Sequence, residues 1–262
     1  MNKFTSLQDS LSKSLPDYQF YDFVEIDSTN AFLKRLSKTT LQHAICITET
    51  QSQGYGQRSR EWVSNKESLT FSLLTKLDVP LHQIDGFSQS VGVAIVKVLN
   101  KLLDETVFIK WPNDIYSNNG KLGGLLIEVV KYDAVSCWLV IGLGLNFSPI
   151  ALTSNSQVDL ENRTDFIEME SKQLSSLDVC EAILVELALL AAEYSDGSFS
   201  ERILDYEKFD YFDLDQEVIV YDTDKPIIGR YKGVNQSGEL LFELDGILNQ
   251  YRSGEVSIRS VK

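Results

Sequence analysis

The sequence predicts an α+β protein, in which a mixed sheet flanked by helices is followed by a small β-barrel. Three observations support this fold class. Dense apolar runs such as Val135–Leu145 are typical of strands buried on both faces, with helices covering at least one face. Apolar residues at helical spacing over Val91–Leu103 predict a core helix. From Leu214 onward, short β-rich runs separated by turn signals indicate a second, smaller unit.

The first part of the chain alternates between predicted strands and helices. The segment Asp27–Asn30 supplies helix-capping side chains between the first strand and a short helix that runs to about Lys38. The strands predicted in this part are Tyr18–Ile26, Ala44–Thr48, Leu69–Leu77, Thr106–Trp111, Lys121–Val130 and Val135–Leu145. Two further helices are predicted at Leu177–Tyr194 and Phe199–Phe209.

The last part of the chain consists of short predicted strands. Ser237-Gly238 and Asp245-Gly246 are dipeptides that favour tight hairpin turns. The strands predicted around them are Glu217–Tyr221, Ile227–Val234, Glu239–Leu244, Ile247–Tyr251 and Val256–Ile258. We therefore expect the chain to divide into a domain of residues 1–212 and a C-terminal β-barrel domain of residues 213–262.

The charge and hydropathy of the chain exclude two classes of partner. The formal net charge is −14, whereas nucleic-acid-binding proteins usually present a basic face to the phosphates. No stretch approaches the ~20 uninterrupted apolar residues that a membrane span needs. The polar segment Met1–Asp22 lacks the pattern of a signal peptide. We expect neither DNA nor a membrane as a partner.

Cysteine and histidine usage limits the chemistry further. The cysteines stand far apart without a CxxC pair, which indicates buried thiols in a reducing compartment and hence a cytoplasmic protein. They are Cys46, Cys137 and Cys180. The two histidines, His43 and His82, also stand alone. Neither a His/Cys metal site nor a histidine base is therefore expected.

The first segment that can carry chemistry runs from Gly54 to Trp62. Its glycines at positions 54 and 56 allow the backbone to approach a ligand closely. Arg58 and Arg60 can meet phosphate or carboxylate oxygens, and Trp62 offers a flat face on which a base can stack. A surface loop with incidental charges is the alternative interpretation, because short Gly-x-Gly patterns are weak signals.

Two further segments lie close together in the sequence. Lys110-Trp111-Pro112-Asn113-Asp114 ends a predicted buried strand, where an aspartate can bind Mg²⁺ or orient a lysine. Lys121 then opens an otherwise apolar strand, so it must reach water or find an anionic partner. The glycines at 123 and 124 leave room for a ligand against the sheet. Taken alone, each segment is also compatible with ordinary turn and surface chemistry.

Together, these segments resemble the biotin–protein ligase family in motif order and spacing. The motifs that carry the resemblance are Asp27-Ser28-Thr29-Asn30, the loop Gly54–Trp62, Lys110-Trp111-Pro112-Asn113-Asp114, Lys121-Leu122-Gly123-Gly124-Leu125-Leu126-Ile127-Glu128, Ile141-Gly142-Leu143-Gly144-Leu145-Asn146, Leu244-Asp245-Gly246-Ile247 and Gly254-Glu255-Val256-Ser257-Ile258-Arg259. The resemblance is strong from Phe23 to Asn146 and resumes near residue 244. It implies a class II synthetase-like ligase domain followed by an SH3-like β-barrel.

The activity that this resemblance implies is ATP-dependent ligation of biotin. Biotin and ATP would form biotinyl-5'-AMP with release of pyrophosphate, and biotin would then pass to a lysine of a biotin carboxyl carrier protein. A cation between the two anionic reactants lowers their repulsion and stabilises the transition state. Because a carboxylate is already a nucleophile at pH 7, the first step requires no histidine base.

The family pattern also implies roles for individual residues. Lys121, Asp114 and Arg60 are the expected catalytic residues, with Lys121 between the biotin carboxylate and the α-phosphate, and Asp114 orienting Lys121 or holding Mg²⁺. The expected biotin contacts are Ser28, Thr29, Asn30, Gln51, Tyr55, Gly56, Gln57 and Lys121. The expected contacts with ATP or the adenylate are Arg58, Arg60, Trp62 and Asn146.

The chain departs from the family pattern at two places. The family loop often reads Gly-Arg-Gly-Arg-Arg-Gly-Arg, whereas here Tyr55 and Gln57 replace two arginines and Ser59 replaces a glycine. How tightly the adenylate is held is therefore left open. Some members carry a winged helix-turn-helix ahead of the ligase domain, but only about 22 residues precede Phe23, where the resemblance to that domain begins. We therefore expect no operator binding.

Two alternatives to a biotin ligase remain. A lipoate- or octanoate-attaching protein shares the ligase-domain fold, but the paired lysine motifs and the terminal barrel favour biotin. A non-catalytic biotin sensor is the second alternative. The presence of Lys121, Asp114 and Arg60 together favours an enzyme, because biotin binding alone needs no ATP-binding residues. Family members often pair edge strands of the central sheet, so a homodimer is expected, and a monomer is the alternative.

Overall fold

The computed structural model describes residues 3–149, 164–168, 174–195, 198–222 and 225–261. The α-helices in these ranges are α1 (Thr5–Ser14), α2 (Thr29–Leu36), α3 (Phe87–Leu102), α4 (Ser176–Glu193) and α5 (Ser198–Lys208). The strands are β1 (Gln19–Ile26), β2 (Ala44–Gln51), β3 (Leu69–Leu77), β4 (Phe108–Lys110), β5 (Asp114–Tyr116), β6 (Lys121–Tyr132), β7 (Cys137–Leu145), β8 (Glu217–Asp222), β9 (Lys225–Val234), β10 (Leu240–Leu244), β11 (Ile247–Tyr251) and β12 (Ser257–Ser260).

The strands form two sheets. The larger sheet has the order β1-β2-β3-β7-β6-β5-β4. Its first pair, β1 and β2, is parallel, and the following pairs are antiparallel. The second sheet is antiparallel and has the order β11-β10-β9-β8-β12. The predicted α+β class, with a mixed sheet, flanking helices and a β-rich C-terminal part, is confirmed.

The alternation of side chains along each strand gives the larger sheet two different faces. On β7, Leu139, Ile141 and Leu143 belong to the main hydrophobic core, to which α1, α3 and α4 also contribute. Gly142 and Gly144 point to the opposite face. There α2 packs against β2, β3 and β7 and covers one part of the sheet. The uncovered part of this face is where the candidate site lies.

Three elements differ most from the sequence prediction, and one of them is the short strand β5, which was not predicted. The helix α1 was not predicted, because polar and charged residues separate its apolar positions. The buried residues at its apolar positions and just outside its ends are Phe4, Leu7, Leu11 and Leu15. The predicted strand Thr106–Trp111 is shortened to Phe108–Lys110, which pairs with β5 in a tight hairpin. That hairpin places Asp114 opposite Lys110.

The second sheet packs directly against the first part of the chain. Next to the edge strand β4, the N–H of Ile109 donates to the carbonyl of Phe209 at 2.7 Å, and the N–H of Tyr211 donates to the carbonyl of Ile109 at 2.9 Å. The indole Nε1–H of Trp111 donates to the carbonyl of Gly238 at 3.1 Å. Backbone hydrogen bonds from the segment after α5 therefore cover the β4 edge. The side chain of Trp111, which follows β4, reaches the second sheet.

A buried carboxyl group lies at this junction. Asp210 accepts a hydrogen bond from the hydroxyl of Tyr231 on β9, and another of 3.3 Å from the backbone N–H of Phe212. Burial raises the pKa of Asp210 to about 7, although these hydrogen bonds act in the opposite direction. The rings of Phe212 and Tyr231 pack beside it, with centroids 5.3 Å apart.

The predictions about thiols and histidines can be compared with the structure. All three cysteines are buried, and none forms a disulfide bond, as expected. The Nδ1 atom of His43 lies 3.1 Å from the hydroxyl of Thr75, and neither His43 nor His82 lines the candidate site. Within the described residues, no helix combines the length and the apolar character that crossing a bilayer requires.

Candidate functional site

The uncovered face of the larger sheet forms the floor of a pocket of about 230 Å³. Floor residues alternate along three neighbouring strands. They are Thr70 on β3, Gly124 and Leu126 on β6, and Gly142 and Gly144 on β7. A Cβ atom on Gly142 would lie 2.2 Å from Oδ1 of Asn30, and one on Gly144 would lie 2.4 Å from Cε2 of Trp62. The two glycines of β7 thus let Asn30 and Trp62 rest directly on the sheet.

One end of the pocket is a polar wall at the start of α2. Ser28 is the N-cap of this helix, and its hydroxyl accepts a hydrogen bond from the N–H of Ala31 at 3.3 Å. The side-chain oxygen of Gln51 accepts hydrogen bonds from the N–H of Thr29 at 2.8 Å and from its hydroxyl at 3.2 Å. These contacts fix several hydrogen-bonding groups at the wall, and a few such groups commonly orient the ligand in a protein pocket.

Glu128 on β6 joins this wall to the loop above the pocket. Its carboxylate accepts hydrogen bonds of 2.9 Å from the Nδ2 of Asn30 and from the hydroxyl of Tyr55, and it pairs with Lys34 at 2.5 Å. The Oδ1 of Asn30 accepts a hydrogen bond from Ser72. Burial by itself would raise the pKa of Glu128, but the hydrogen bonds from Lys34, Asn30 and Tyr55 outweigh it and lower the pKa. The carboxylate is therefore ionised at neutral pH.

The loop from Gly54 to Trp62 closes over the pocket as a hairpin. The N–H of Trp62 donates to the carbonyl of Gly54 at 2.9 Å, and the N–H of Gly56 donates to the carbonyl of Arg60 at 2.8 Å. A Cβ atom on Gly54 would lie 2.6 Å from the carbonyl oxygen of Trp62, so this close approach requires glycine.

The tip of the loop reaches the second sheet. The side-chain Nε2 of Gln57 donates to the hydroxyl of Ser253 at 3.2 Å. The guanidinium of Arg58 donates to the carbonyl of Gly254 through Nε at 3.0 Å and Nη2 at 2.6 Å. Arg58 and Ser59 both have φ of 56°, a left-handed conformation that few non-glycine residues adopt. The roof of the pocket is thus built from both parts of the chain.

The other end of the pocket holds an ion pair between Lys121 and Asp114. The Nζ of Lys121 lies 2.6 Å from Oδ1 of Asp114, and the two side chains are 29% and 23% exposed. The backbone of Asp114 is held in the sheet, where Asp114 lies opposite Lys110 of β4 on one side and opposite Gly124 of β6 on the other. The Nζ of Lys121 also lies 5.8 Å from the ring centroid of Trp62. A partly accessible cation therefore faces both a carboxylate and an aromatic ring.

A metal ion would find one carboxylate at this end of the pocket. In the part of the chain that the structure describes, no group of three or more His, Cys, Asp or Glu side chains is placed to hold a metal. Mg²⁺ is commonly held by one or two carboxylates together with phosphate oxygens of a substrate. Asp114 fits that pattern, since its carboxylate lies at the pocket wall.

The structure brings almost all of the predicted site residues together. Those that line the pocket are Ser28, Thr29, Asn30, Gln51, Tyr55, Gly56, Gln57, Arg58, Arg60, Trp62, Asp114 and Lys121. Asn146 lies outside the pocket lining, because it is buried and its Nδ2 donates to the carbonyl of Asp165 at 3.2 Å. The chemical roles of all these residues, including a nucleotide contact for Asn146, stay predictions.

The pocket also contains Thr70, which the motifs did not single out, and two features that the motifs did not predict. Thr70 is 3% exposed, and its hydroxyl has no hydrogen-bond partner within the described part of the chain. The indole Nε1 of Trp62 is likewise buried without a partner there. Residues 256–259, which belong to the C-terminal motif but were assigned no ligand contact, contribute a wall from the second sheet. The alternation of Leu69, Thr70, Phe71 and Ser72 along β3 is a signal that could have identified Thr70.

Several known proteins resemble this chain in sequence. The model of the biotin/lipoate A/B protein ligase family matches residues 22–146. The bifunctional ligase/repressor BirA of Salmonella typhimurium is 30% identical over 239 residues, which cover 90% of this chain and 73% of that protein. The biotin–[acetyl-CoA-carboxylase] ligase of Mycobacterium tuberculosis is 30% identical over 149 residues, which cover 54% of each protein.

A solved structure shows the same fold. The biotin protein ligase from Aquifex aeolicus in complex with biotin and ATP aligns with a TM-score of 0.69 and 23% identity, covering 93% of this chain and 99% of that chain. The alignment thus covers almost the whole length of both chains. The Aquifex aeolicus protein therefore has the same α+β architecture as this chain.

Proposed function

The chain belongs to the biotin/lipoate A/B protein ligase family, as one of its biotin–protein ligases, and we propose that it works in two steps. In the first step, biotin and ATP form biotinyl-5'-AMP and pyrophosphate. In the second step, the biotinyl group passes to a specific lysine of a biotin carboxyl carrier protein. The family that the sequence motifs predicted is thereby confirmed, and the two steps are our proposal.

The position of Lys121 carries the proposal. Its ammonium lies beside Asp114 and beside Trp62, whose ring rests on Gly144 at one end of the pocket floor. The polar wall rests on Gly142, two residues along β7, a distance of about 7 Å. Biotin with its ureido ring at the polar wall would direct its carboxylate toward Lys121. ATP would occupy the end at Trp62.

The first step needs a cation between two anions. A carboxylate oxygen of biotin attacks the α-phosphorus of ATP, a P–O bond forms, and the bond to the leaving pyrophosphate breaks. Lys121 would lower the repulsion between the reactants and stabilise the charge that develops in the transition state. Arg58 and Arg60, which line the same pocket, are the proposed contacts for the phosphates. When bound, Mg²⁺ would neutralise phosphate charge, with Asp114 as its protein ligand.

The second step needs protection of a reactive intermediate. The amine of the acceptor lysine attacks the carbonyl carbon of biotinyl-5'-AMP, an amide bond forms, and AMP leaves. Because the adenylate is a mixed anhydride, water must be kept away until the acceptor arrives. The loop Gly54–Trp62 closes over the pocket in the structure and is suited to this task.

Exchange of radiolabelled pyrophosphate into ATP tests the first step. We expect exchange with biotin and Mg²⁺ and none with lipoate. Exchange with lipoate alone would identify the lipoate-attaching alternative. Biotin binding without any exchange would identify the non-catalytic sensor. Transfer of radiolabelled biotin to a carrier domain, with ATP present, then tests the second step.

Three wider expectations belong to the same proposal. We expect the chain to divide functionally into residues 1–212, which would bind biotin and ATP, and residues 213–262. We expect a cytoplasmic protein, consistent with its three free cysteines. We also expect a homodimer that pairs β1, the outer strand of the larger sheet, where Val24 is 72% exposed. Light scattering on the purified protein measures the last point.

A further inference from the structure

Glu128 makes contacts that the proposed chemistry does not use. It lies on β6 and shares the pocket face of that strand with Gly124 and Leu126. Glu128 is four residues beyond Gly124, or about 13 Å along the strand. Lys121 and Asp114 lie at the Gly124 end of the pocket. Glu128 is therefore too far from the reacting atoms to take part in bond formation.

The Glu128 carboxylate is shared between two separate structural elements. Its Oε2 accepts hydrogen bonds of 2.9 Å both from the Nδ2 of Asn30, on the polar wall, and from the hydroxyl of Tyr55, on the loop. Its Oε1 pairs with Lys34 of α2 at 2.5 Å. The Nζ of Lys34 lies 5.9 Å from the ring centroid of Tyr55. One oxygen atom thus connects the wall to the roof of the pocket.

The bond from Tyr55 differs from the other attachment of the loop. The contacts of Gln57 and Arg58 with the second sheet lie at exposed positions, whereas the Tyr55–Glu128 contact is partly buried. Hydrogen bonds to an ionised and partly buried carboxylate are stronger than those at exposed positions. Tyr55 also occupies a position where the loop departs from the arginine-rich pattern. Its hydroxyl is a single donor that the substitution Tyr55→Phe removes without changing the ring.

We propose that Glu128 is a positioning residue that anchors the closed loop, with Tyr55 as the latch and Asn30 as the connection to the biotin wall. A ligand that packs against Asn30 would keep the Glu128 carboxylate where it accepts the hydrogen bond from Tyr55. Occupancy of the polar end and closure of the loop therefore stabilise each other. The identity of the ligand rests on the proposed function, but closure of the loop does not.

Limited proteolysis tests the latch without any ligand. Arg58 and Arg60 are exposed, but trypsin must bind several residues around the cleaved bond in an extended conformation, so the cleavage rate in this hydrogen-bonded loop rises with its open population. We expect Tyr55→Phe to accelerate cleavage at these two sites about tenfold, because it removes a hydrogen bond to a charged group. Tyr132→Phe is the matched control, since Tyr132 lies on the same strand as Glu128 and is 63% exposed. An unchanged cleavage rate in Tyr55→Phe would overturn the proposal.

Kinetics then test whether the latch retains the ligand. We expect Tyr55→Phe to raise the KM for biotin and the release rate of biotinyl-5'-AMP about tenfold, with a smaller change in the KM for ATP. Glu128→Gln keeps an oxygen acceptor, so its KM for biotin and its release rate should lie between those of wild type and of Glu128→Ala. Combining Tyr55→Phe with Glu128→Ala should add little to Glu128→Ala alone, because both remove the same bond.

The two measurements separate the latch from the proposed function. If the wild-type protein forms no biotinyl-5'-AMP, the proposed function fails, and the proteolysis result still decides whether the latch exists. If Tyr55→Phe opens the loop while the KM for biotin and the release rate stay at wild-type values, ligand retention by the latch is wrong. Additive effects in the double variant would also contradict a shared bond.

Discussion

The Nζ of Lys121 lies 2.6 Å from Oδ1 of Asp114, although the two residues come from different strands of the sheet. We expect Lys121→Ala to lower the rate of pyrophosphate exchange at least ~100-fold, since one lost charge stabiliser typically costs 10²–10³ in rate. Lys131→Ala, at an exposed position of the same strand, is the control. Exchange at the wild-type rate in Lys121→Ala would refute the proposed mechanism.

Removing Mg²⁺ tests the second role of Asp114. A chelator should abolish exchange, and restored Mg²⁺ should recover it. If Asp114 holds the ion, Asp114→Asn should raise the Mg²⁺ concentration for half-maximal exchange about tenfold, because a neutral amide is a weaker ligand than a carboxylate. A lower maximal rate at an unchanged Mg²⁺ requirement would instead assign Asp114 to orienting Lys121 alone.

The two glycines of β7 allow the two ends of the pocket to be disturbed separately. A methyl group at Gly142 would meet Asn30, and one at Gly144 would meet Trp62. We expect Gly142→Ala to raise mainly the KM for biotin and Gly144→Ala mainly that for ATP, each by roughly tenfold. Gly92→Ala is the control, since its Cβ would lie 3.4 Å from Ile109. Equal effects on both substrates would contradict the assignment of the two ends.

The stability of the protein should depend on Asp210. Its pKa is raised from 3.8 to about 7 in the folded state, so the folded state binds one more proton than the unfolded state between about pH 4 and pH 7. The free energy of unfolding therefore falls as the pH rises through this window, by as much as about 1.4 kcal/mol per unit. Asp210→Asn cannot ionise and should flatten this dependence.

Urea unfolding at pH 5 and pH 8 measures the effect of Asp210. The difference in free energy of unfolding between the two pH values should be smaller in Asp210→Asn than in wild type. Asp245→Asn, at an exposed turn position, should retain the wild-type difference. A wild-type pH dependence in Asp210→Asn would show that the buried carboxyl does not control it.

Thr70 should affect stability and binding in opposite directions. Its buried hydroxyl lacks a partner within the described residues, so Thr70→Val should raise the free energy of unfolding by about 1 kcal/mol. If a bound ligand uses that hydroxyl, the affinity for biotin or ATP should fall about fivefold. Thr75→Val is the matched control and should destabilise, because the Thr75 hydroxyl contacts Tyr18 at 3.0 Å and His43 at 3.1 Å.

The sequence predicted most of the fold because local signals were strong. The N-cap at Ser28, the dense apolar run of β7 and the hairpin signals after residue 214 all depend on neighbours in the chain. Strand order and pairing direction could not be predicted in the same way. The antiparallel pairing of Phe71 with Leu143 joins residues far apart in the chain, and nothing local specifies it.

The candidate site shows the same division. The motifs located Lys121, because a charged residue in an apolar run stands out, and Asp114, because it follows a predicted buried strand. They missed the role of Glu128, since its partners Asn30 and Tyr55 lie 98 and 73 residues away in the chain. Thr70 was missed because its lack of a partner is a property of the packed structure, not of its neighbours in sequence.

The contact between Gln57 and Ser253 joins residues 196 positions apart in the chain. During synthesis, the loop emerges from the ribosome long before the turn on which its tip rests. Without residues 253–259, the loop lacks the contacts of Gln57 and Arg58 at its tip, and its attachment to the larger sheet through Tyr55 and Glu128 has to hold it. Under the proposed function, tight retention of the reactive intermediate is therefore expected of the finished chain and not of its first part alone.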